Sequence, residues 1–404
     1  MIIDRKTSTD VLNVSRRAVS LGFGAGALVL ATGLPVFAEE AKPEEPKWGG
    51  DGMPHGLRDD PTLFVSIGED GIVSILCIRS EMGQGVRTSV PMVIADEMDA
   101  DWARVKVVQA DGDEVKYGNQ DTDGSRSLRH HFMPLRRIGA AARQMLEGAA
   151  AAKWGVPVAE VEVVNHEVVH KGSDKKAGFG ELAKEAAAQP VPAHDALKLK
   201  DPSKFRYIGK GKTNLVDNMG ITTGSAVYGT DVRREGMSYA VIARPPVYGG
   251  KVASLDDSAA LKVPGVLKVI SLDPPKFPTE FQNLGGVAVI ATSTWAAMKG
   301  REALKITWDD GPNAVYTTTS YRAAMEEASR KPGKVERSVG DVDAAMKTAK
   351  SKVEAEYYIP HHSHVSMEPP VAVAEIKDGK CEIWTAVQSP QAAKDRVSKR
   401  LGMK

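Results

Sequence analysis

The chain has 404 residues, 42% hydrophobic and 26% charged, the composition of a folded globular protein rather than a disordered or fibrous one. Lys+Arg 53 against Asp+Glu 52 leaves a formal charge of +1, and the basic residues are interspersed with acids, which argues against nucleic acid as a partner. The two cysteines, Cys77 and Cys381, lie in apolar strand-like runs and read as free thiols. With no Cys-x-x-Cys, they speak against a disulfide framework and against a thiolate zinc or iron–sulfur site within the chain.

Residues 1–38 read as an export signal of the twin-arginine kind. Arg16-Arg17 precedes the apolar stretch Ala18–Phe37, and Val36-Phe37-Ala38 resembles a cleavage site. That route carries folded proteins, often with a cofactor already inserted, so the expected location is the bacterial periplasm. An uncleaved membrane anchor is the other reading of the same stretch. Residues 39–61 are Pro-, Gly- and acid-rich and read as a linker.

A first domain is expected over 62–170. Leu63–Ile67 and Ile72–Ile78 read as strands joined by a turn at Gly68-Glu69-Asp70-Gly71, followed by a helix over Ser89–Glu97 and a strand over Val105–Gln109. A long helix over Met133–Trp154 places Leu135, Ile138, Ala142 and Met145 on one face, and Gly155-Val156-Pro157 ends it. Val161–Val169 reads as a strand pair turning at Asn165-His166. Residues 171–204 read as a linker with a short helix over Phe179–Ala188.

An α/β domain is expected over 205–345, with strands Tyr239–Ala243, Val266–Ile270 and Gly286–Ile290. Its helices are Asp257–Lys262 and Thr294–Leu304, the second with Thr294 as N-cap. Residues 346–404 open a third domain. Val353–Ile359, Val371–Ile376 and Cys381–Val387 read as strands of one sheet, and a helix begins at Ser389-Pro390 and stops at Gly402. The predicted fold class is α+β, multi-domain, with mixed sheets and packed helices.

Four segments carry candidate chemistry. Glu81-Met82-Gly83-Gln84-Gly85 lies between a strand and a helix, where glycines admit a ligand to the backbone and the helix N-terminus could hold an anion. Thr122-Asp123-Gly124-Ser125-Arg126-Ser127 offers hydroxyls and N–H groups, as a phosphate or pterin cradle would. Val387-Gln388-Ser389-Pro390 puts a neutral amide at a strand end, where ligand sites in α/β folds often lie. His361-His362-Ser363-His364 would put His362 and His364 on one face of a strand. Too few convergent ligands accompany them, so they read as structural and no metal residues are assigned.

Together these motifs resemble the molybdenum-cofactor-binding large subunit of the xanthine dehydrogenase/aldehyde oxidase family, in its exported branch of isoquinoline oxidoreductase beta-subunit type. The resemblance rests on Met82-Gly83-Gln84-Gly85, Gly124-Ser125-Arg126-Ser127 and Gly224-Ser225-Ala226-Val227-Tyr228-Gly229-Thr230-Asp231. It rests as well on Gly236–Ala240, Val263-Pro264-Gly265-Val266, His364–Pro369 and Trp384–Ser389, in that order. It implies a hammerhead-like domain around Gly224–Val266 and an incomplete second cofactor-binding domain at the C-terminus. It implies a molybdopterin cofactor, commonly as the cytosine dinucleotide, contacted by Gly83, Gln84, Gly85, Gly124, Ser125 and Ser127. Gln388 would hydrogen-bond the oxo ligand of molybdenum.

The implied reaction is hydroxylation of an aldehyde or N-heterocycle carbon with water, with hydride passing to a Mo=S group and electrons leaving through a two-cluster [2Fe–2S] subunit. A c-type cytochrome is a further possible partner. The family continues into a Gly-Gly-Gly-Phe-Gly-Arg loop and a general-base glutamate that this chain does not contain. The expectation is therefore about the N-terminal half of a large subunit, catalytically incomplete alone and completed by a second polypeptide. The alternatives are an inactive truncated fragment or a non-catalytic periplasmic binding protein, including a metal binder using His361, His362 and His364.

Overall fold

The computed structural model describes residues 28–29, 56–58, 60–211, 213–279 and 282–403. The expected signal and most of the linker after it lie outside the described residues. The chain divides into two compact units. The first is the chain up to Gly229 together with Val371–Lys404, and the second is Thr230–Pro370.

The first unit is built on a four-stranded sheet, β1 (Leu28–Val29), β2 (Val65–Ile67), β3 (Val73–Cys77) and β4 (Val105–Gln109), in that order. β2 and β3 are antiparallel across the turn expected at 68–71, with Val65, Ile67, Val73, Ile75 and Cys77 buried in strict alternation. Residues 61–64, expected as the start of β2, instead form a one-turn helix, α1 (Pro61–Phe64). Asp60 supplies the cap by accepting a 2.8 Å bond from the Thr62 amide, and Pro61 sits at the first helical position.

β3 and β4 are parallel, so the chain must cross over between them, and it does so through α2 (Val86–Met98). Short helices α3 (Glu114–Tyr117) and α4 (Arg126–Arg129) then lead to the long α5 (Phe132–Trp154). α5 packs on α2 so closely that a Cβ at Gly139 would stand 2.6 Å from the Ile94 carbonyl oxygen. A second sheet, β5 (Val161–Val164), β6 (Glu167–His170) and β7 (Lys176–Gly178), turns at Asn165-His166 as the sequence predicts. α6 (Phe179–Ala187) buries Phe179, Leu182, Ala183 and Ala186 in the same core, so the start of the 171–204 stretch is structural rather than a free tether.

Residues 196–208 strap this core through buried charge. Asp96 accepts from the amides of Arg206, Tyr207 and Ile208 at 2.9–3.1 Å and from Lys200 Nζ at 3.0 Å. Glu97 accepts from Arg136 Nε at 2.9 Å and from the Lys200 amide. Burial alone would raise the Asp96 carboxyl, but the Ile208, Tyr207 and Arg206 amides and Lys200 outweigh it and hold it below the ordinary carboxylate range. α7 (Asn218–Thr223) follows the strap.

The second unit holds a three-stranded antiparallel sheet, β8 (Tyr239–Ala243), β10 (Val266–Leu272) and β11 (Gly286–Ala291), with β11 in the centre. A separate pair, β9 (Lys251–Asp256) and β12 (Lys305–Asp309), accompanies it. α8 (Thr294–Ala303) covers the three-stranded sheet, and its N-cap is Ser293 rather than Thr294, with Ser293 Oγ accepting from the Ala296 amide. The helix expected over 257–262 is a single tight turn at Ala260–Lys262. α9 (Thr318–Ser329) and α10 (Val342–Thr348) bury no residue.

The strand expected over Val353–Ile359 does not form. No neighbouring strand offers its backbone a ladder among the described residues, and Val353, Tyr357 and Ile359 are exposed. The next two expected strands do pair. β13 (Ala372–Lys377) and β14 (Lys380–Thr385) make a hairpin turning at Asp378-Gly379, both with positive φ. This hairpin and α11 (Pro390–Leu401) belong to the first unit. Among the described residues no helix is long and apolar enough to cross a membrane.

Candidate functional site

Parallel pairing of β3 and β4 puts their C-terminal ends side by side, and the loops leaving them, 78–85 and 110–125, converge at that edge. Gly83 and Gly85 have φ of 92° and 82°. A Cβ on Gly85 would fall 2.8 Å from Leu215 Cδ2, whereas one on Gly83 would meet nothing within 4 Å. Gly85 is thus fixed by packing and backbone conformation together, and Gly83 presents open backbone to solvent.

The loop is closed from within. Glu81 Oε1 accepts from the Gly83 and Gly85 amides at 2.8 and 2.9 Å, and Oε2 accepts from the Arg87 amide at 3.0 Å. The anion seat expected at the start of α2 is therefore filled by the chain's own carboxylate, which also substitutes for the side-chain cap that Gly85 lacks. Gln84 Oε1 accepts from the Met82 amide at 2.6 Å, and Nε2 donates to the Ser80 carbonyl at 3.0 Å. Gln84 is exposed, and one N–H of its amide remains for a ligand.

Three of the segments singled out from sequence meet at one knot. Thr122 Oγ1 accepts from the Ser80 amide at 2.9 Å, and Ser80 Oγ donates to the Val387 carbonyl at 2.6 Å. The Thr122 amide donates to the Gln388 carbonyl at 2.9 Å, and Gln388 Nε2 returns a bond to the Thr122 carbonyl at 2.6 Å. Gln388 keeps a second N–H and its Oε1 outside this exchange. The start of α11 is docked alongside: Gln391 Oε1 accepts from the Glu114 amide at 3.1 Å, and Lys394 Nζ donates to the Gly112 carbonyl at 3.2 Å. Residues distant in sequence thus hold one another, which no local pattern could announce.

Gly124 and Ser125 both adopt positive φ, 50° and 56°, and Ser125 opens α4 without a side-chain cap, leaving its hydroxyl exposed. Ser127 lies within α4, half-buried. Arg126 pairs with Asp123 across the same turn. Beneath, at the end of β3, Arg79 is fully buried. Its Nη2 lies 3.0 and 3.2 Å from the two ring nitrogens of His131, the residue that precedes α5, while Nε and Nη1 have no hydrogen-bond partner. Desolvation pushes the guanidinium down to about 10, partly offset by the fields of Asp121, Asp123 and Glu114, so it is charged at neutral pH. Sequence reasoning passed over Arg79, Ser80 and Thr122. The one available signal was a cation directly after the apolar run Ile75-Leu76-Cys77-Ile78.

The histidine cluster is elsewhere, in the second unit, and is not on a strand. His361 Nε2 lies 2.7 Å from the Tyr316 hydroxyl, and the His361 ring stacks on Tyr321. Among the described residues no group of three or more His, Cys, Asp or Glu could hold a metal ion. Both cysteines are free, Cys77 buried with its thiol raised to about 11 by burial.

A family model described as molybdopterin cofactor-binding domain matches residues 17–233, and a second of the same description matches 325–404. The chain belongs to the molybdopterin-binding proteins of the xanthine dehydrogenase/aldehyde oxidase family. Three similar relatives agree. The membrane-bound aldehyde dehydrogenase [pyrroloquinoline-quinone] of Gluconacetobacter polyoxogenes is 32% identical over 95% of this chain and 49% of its own length. The beta chain of isoquinoline 1-oxidoreductase from Brevundimonas diminuta is 31% identical over 85% of this chain and 48% of its own. A nicotinate dehydrogenase chain of Pseudomonas putida is 26% identical over 90% of this chain and 30% of its own. The chain thus spans half or less of the length of these relatives. Both family models take in part of the knot: the first contains Ser80 and Thr122, and the second contains Val387 and Gln388. A molybdopterin-binding reading therefore covers every residue that holds it together.

Proposed function

We propose that this chain supplies part of the cofactor cradle of an exported molybdenum hydroxylase that oxidises an aldehyde or N-heterocycle with water. The observation that carries this is the meeting of the Gly83–Gly85 loop, the Thr122–Ser127 loop and Gln388 through the Ser80–Thr122–Gln388 bonds. The donor set fits a polar, anionic cofactor: an exposed glycine backbone at Gly83, hydroxyls at Ser125 and Ser127, spare amide groups on Gln84 and Gln388, and a buried cation at Arg79.

Gly83, Gln84, Gly85, Gly124, Ser125 and Ser127 would hold the cofactor, in its cytosine dinucleotide form, and Gln388 would offer its remaining amide N–H to the metal's ligand sphere. When bound, the cofactor supplies a two-electron acceptor for the substrate carbon. The chain's own part is to bind and orient it. Thr122 fixes the Gln388 amide, and Glu81 and Gln84 keep the glycine loop in one conformation, so little ordering is left to occur on binding.

The names of the relatives support the substrate class, since they include an aldehyde and two N-heterocycles. Arg16-Arg17 and the apolar stretch after it support twin-arginine export to the periplasm. The two lone cysteines support electron transfer through a separate two-cluster [2Fe–2S] subunit, with a further polypeptide completing the large subunit and a hammerhead-like domain around Gly224–Val266.

Purification of the native complex from the periplasm, with elemental analysis, tests this. The expected result is stoichiometric molybdenum with a second large polypeptide and a small iron–sulfur chain. A soluble, folded chain that is free of molybdenum and of both partners would sink the reading.

A further inference from the structure

Arg79 is anomalous for a residue so deeply placed. A guanidinium has five N–H donors, and leaving part of a buried cation unpaired is costly. Here only Nη2 meets a partner, one nitrogen of His131, because a neutral imidazole has a single acceptor. Asp121, Asp123 and Glu114 act on it through their fields but take none of the protons on Nε or Nη1. The carboxylate that would be the natural partner, Asp123, is engaged by Arg126 instead.

Nη2 belongs to both bidentate edges of the guanidinium, the one shared with Nε and the one shared with Nη1. An oxyanion that took the place of the His131 ring would complete a two-bond fork on either edge. The segment between Asp121 and His131 that surrounds this cation contains the two consecutive positive-φ residues Gly124 and Ser125 and the exposed Ser125 hydroxyl.

We propose that Arg79 is a buried anchor for a phosphoryl group of the bound cofactor, with His131 holding its place until that group arrives. The proposal rests on the cofactor reading above and adds a residue to it. It makes the free state carry an uncompensated charge that the bound state compensates, so affinity and free-state stability should respond in opposite directions when the charge is removed.

The experiment uses the full chain with inorganic pyrophosphate as probe, read by calorimetric titration and thermal unfolding, together with the native complex read for molybdenum retention on dialysis. Arg79→Met should weaken pyrophosphate binding about tenfold or more. Its ligand-free Tm should stay the same or rise, because the unpaired buried charge is gone. Arg79→Lys, which keeps the charge and loses the fork, should fall between the two, and it carries the comparison if Arg79→Met does not fold.

Pyrophosphate binding unchanged in both variants, or absent in the wild type, overturns the anchor. So does a wild-type complex that holds molybdenum no longer than its Arg79→Met counterpart, which leaves the cofactor reading standing. If pyrophosphate binds through Arg79 but no native preparation contains molybdenum, the phosphoryl site stands and the cofactor reading falls.

Discussion

The two units spend their apolar residues differently. The first closes a continuous core from Phe64 to Ala186 and then locks its helices with buried carboxylates. The second buries its central strand, with Val287, Val289 and Ala291 fully covered, and leaves most residues beyond β12 exposed. Met367 is 99% accessible, and α9 and α10 bury nothing. A site that must hold a ligand in fixed geometry needs supports whose own positions are locked, and the loops of the knot rise from the densely packed unit. The lesson is that rigidity and chain order are separate matters: the hairpin and helix at 372–401 belong to the first unit although the whole second unit precedes them in sequence.

The largest expected effect breaks the lock in the first unit. Asp96→Asn leaves Lys200 without its buried charge partner and should cost about 3–5 kcal/mol in chemical denaturation. Because the Asp96 carboxyl titrates lower in the folded chain than in the unfolded one, its stabilisation is present above the unfolded value of about 4 and is lost as pH falls through the folded value. The acid limb of the wild-type stability curve should therefore steepen below about pH 4, and Asp96→Asn should flatten it. A mutant with an unchanged acid limb would show that the strap is held by something else.

A smaller change tests whether the second unit has a core of its own. Val289→Ala on β11 should cost about 2 kcal/mol from lost burial and the cavity left behind. Hydrogen exchange should show the loss in β8, β10 and α8, with α9 and α10 unaffected because they bury nothing against that sheet. Equal loosening of α9 would mean that the contrast between packed and unpacked parts is overstated.

Periodic and punctuated features were legible in the sequence. α5 was readable because Leu135, Ile138, Ala142 and Met145 repeat at helical spacing, and the turns at 68–71 and 165–166 carry residues that accept their backbone angles. What was misread was decided by partners outside the local window. Val353–Ile359 has the residues of a strand but no neighbour to pair with, and 61–64 became a helix through one cap at Asp60. In the site, glycines, serines and Gln388 could be singled out by type. The bonds that unite them could not, since Ser80, Thr122 and Val387 are ordinary residues made significant by a fold that spans the chain.

The knot itself gives a moderate effect. Thr122→Val keeps shape and removes the hydroxyl that receives the Ser80 amide, and it should cost about 1 kcal/mol with faster exchange of that amide. Cofactor retention should fall with it, because the Gln388 amide is positioned from the same residue. Retention unchanged at that stability cost would reduce the knot to a structural clasp.

The smallest effect is a pH slope in the first unit. His166 accepts the Asp101 amide at Nδ1 and donates from Nε2 to the Gly71 carbonyl at 2.8 Å, an arrangement that only the neutral ring can make. Desolvation is the main reason its pKa is lowered, with the Gly71 contact opposing. The folded state therefore prefers the unprotonated ring. Its contribution is complete above the unfolded value of about 6.5 and is lost as pH falls through the folded one, because the unfolded chain binds the proton first. Stability should accordingly decline gently from about pH 7 to pH 5, and His166→Asn, which tolerates the 73° φ at that position, should remove the decline. The slope belongs to the packed unit alone, since the ring stacks on Phe179 in its core. Were the decline to persist in the mutant, the exposed histidines at 361, 362 and 364 would be its source, and the pH response would have to be moved to the second unit.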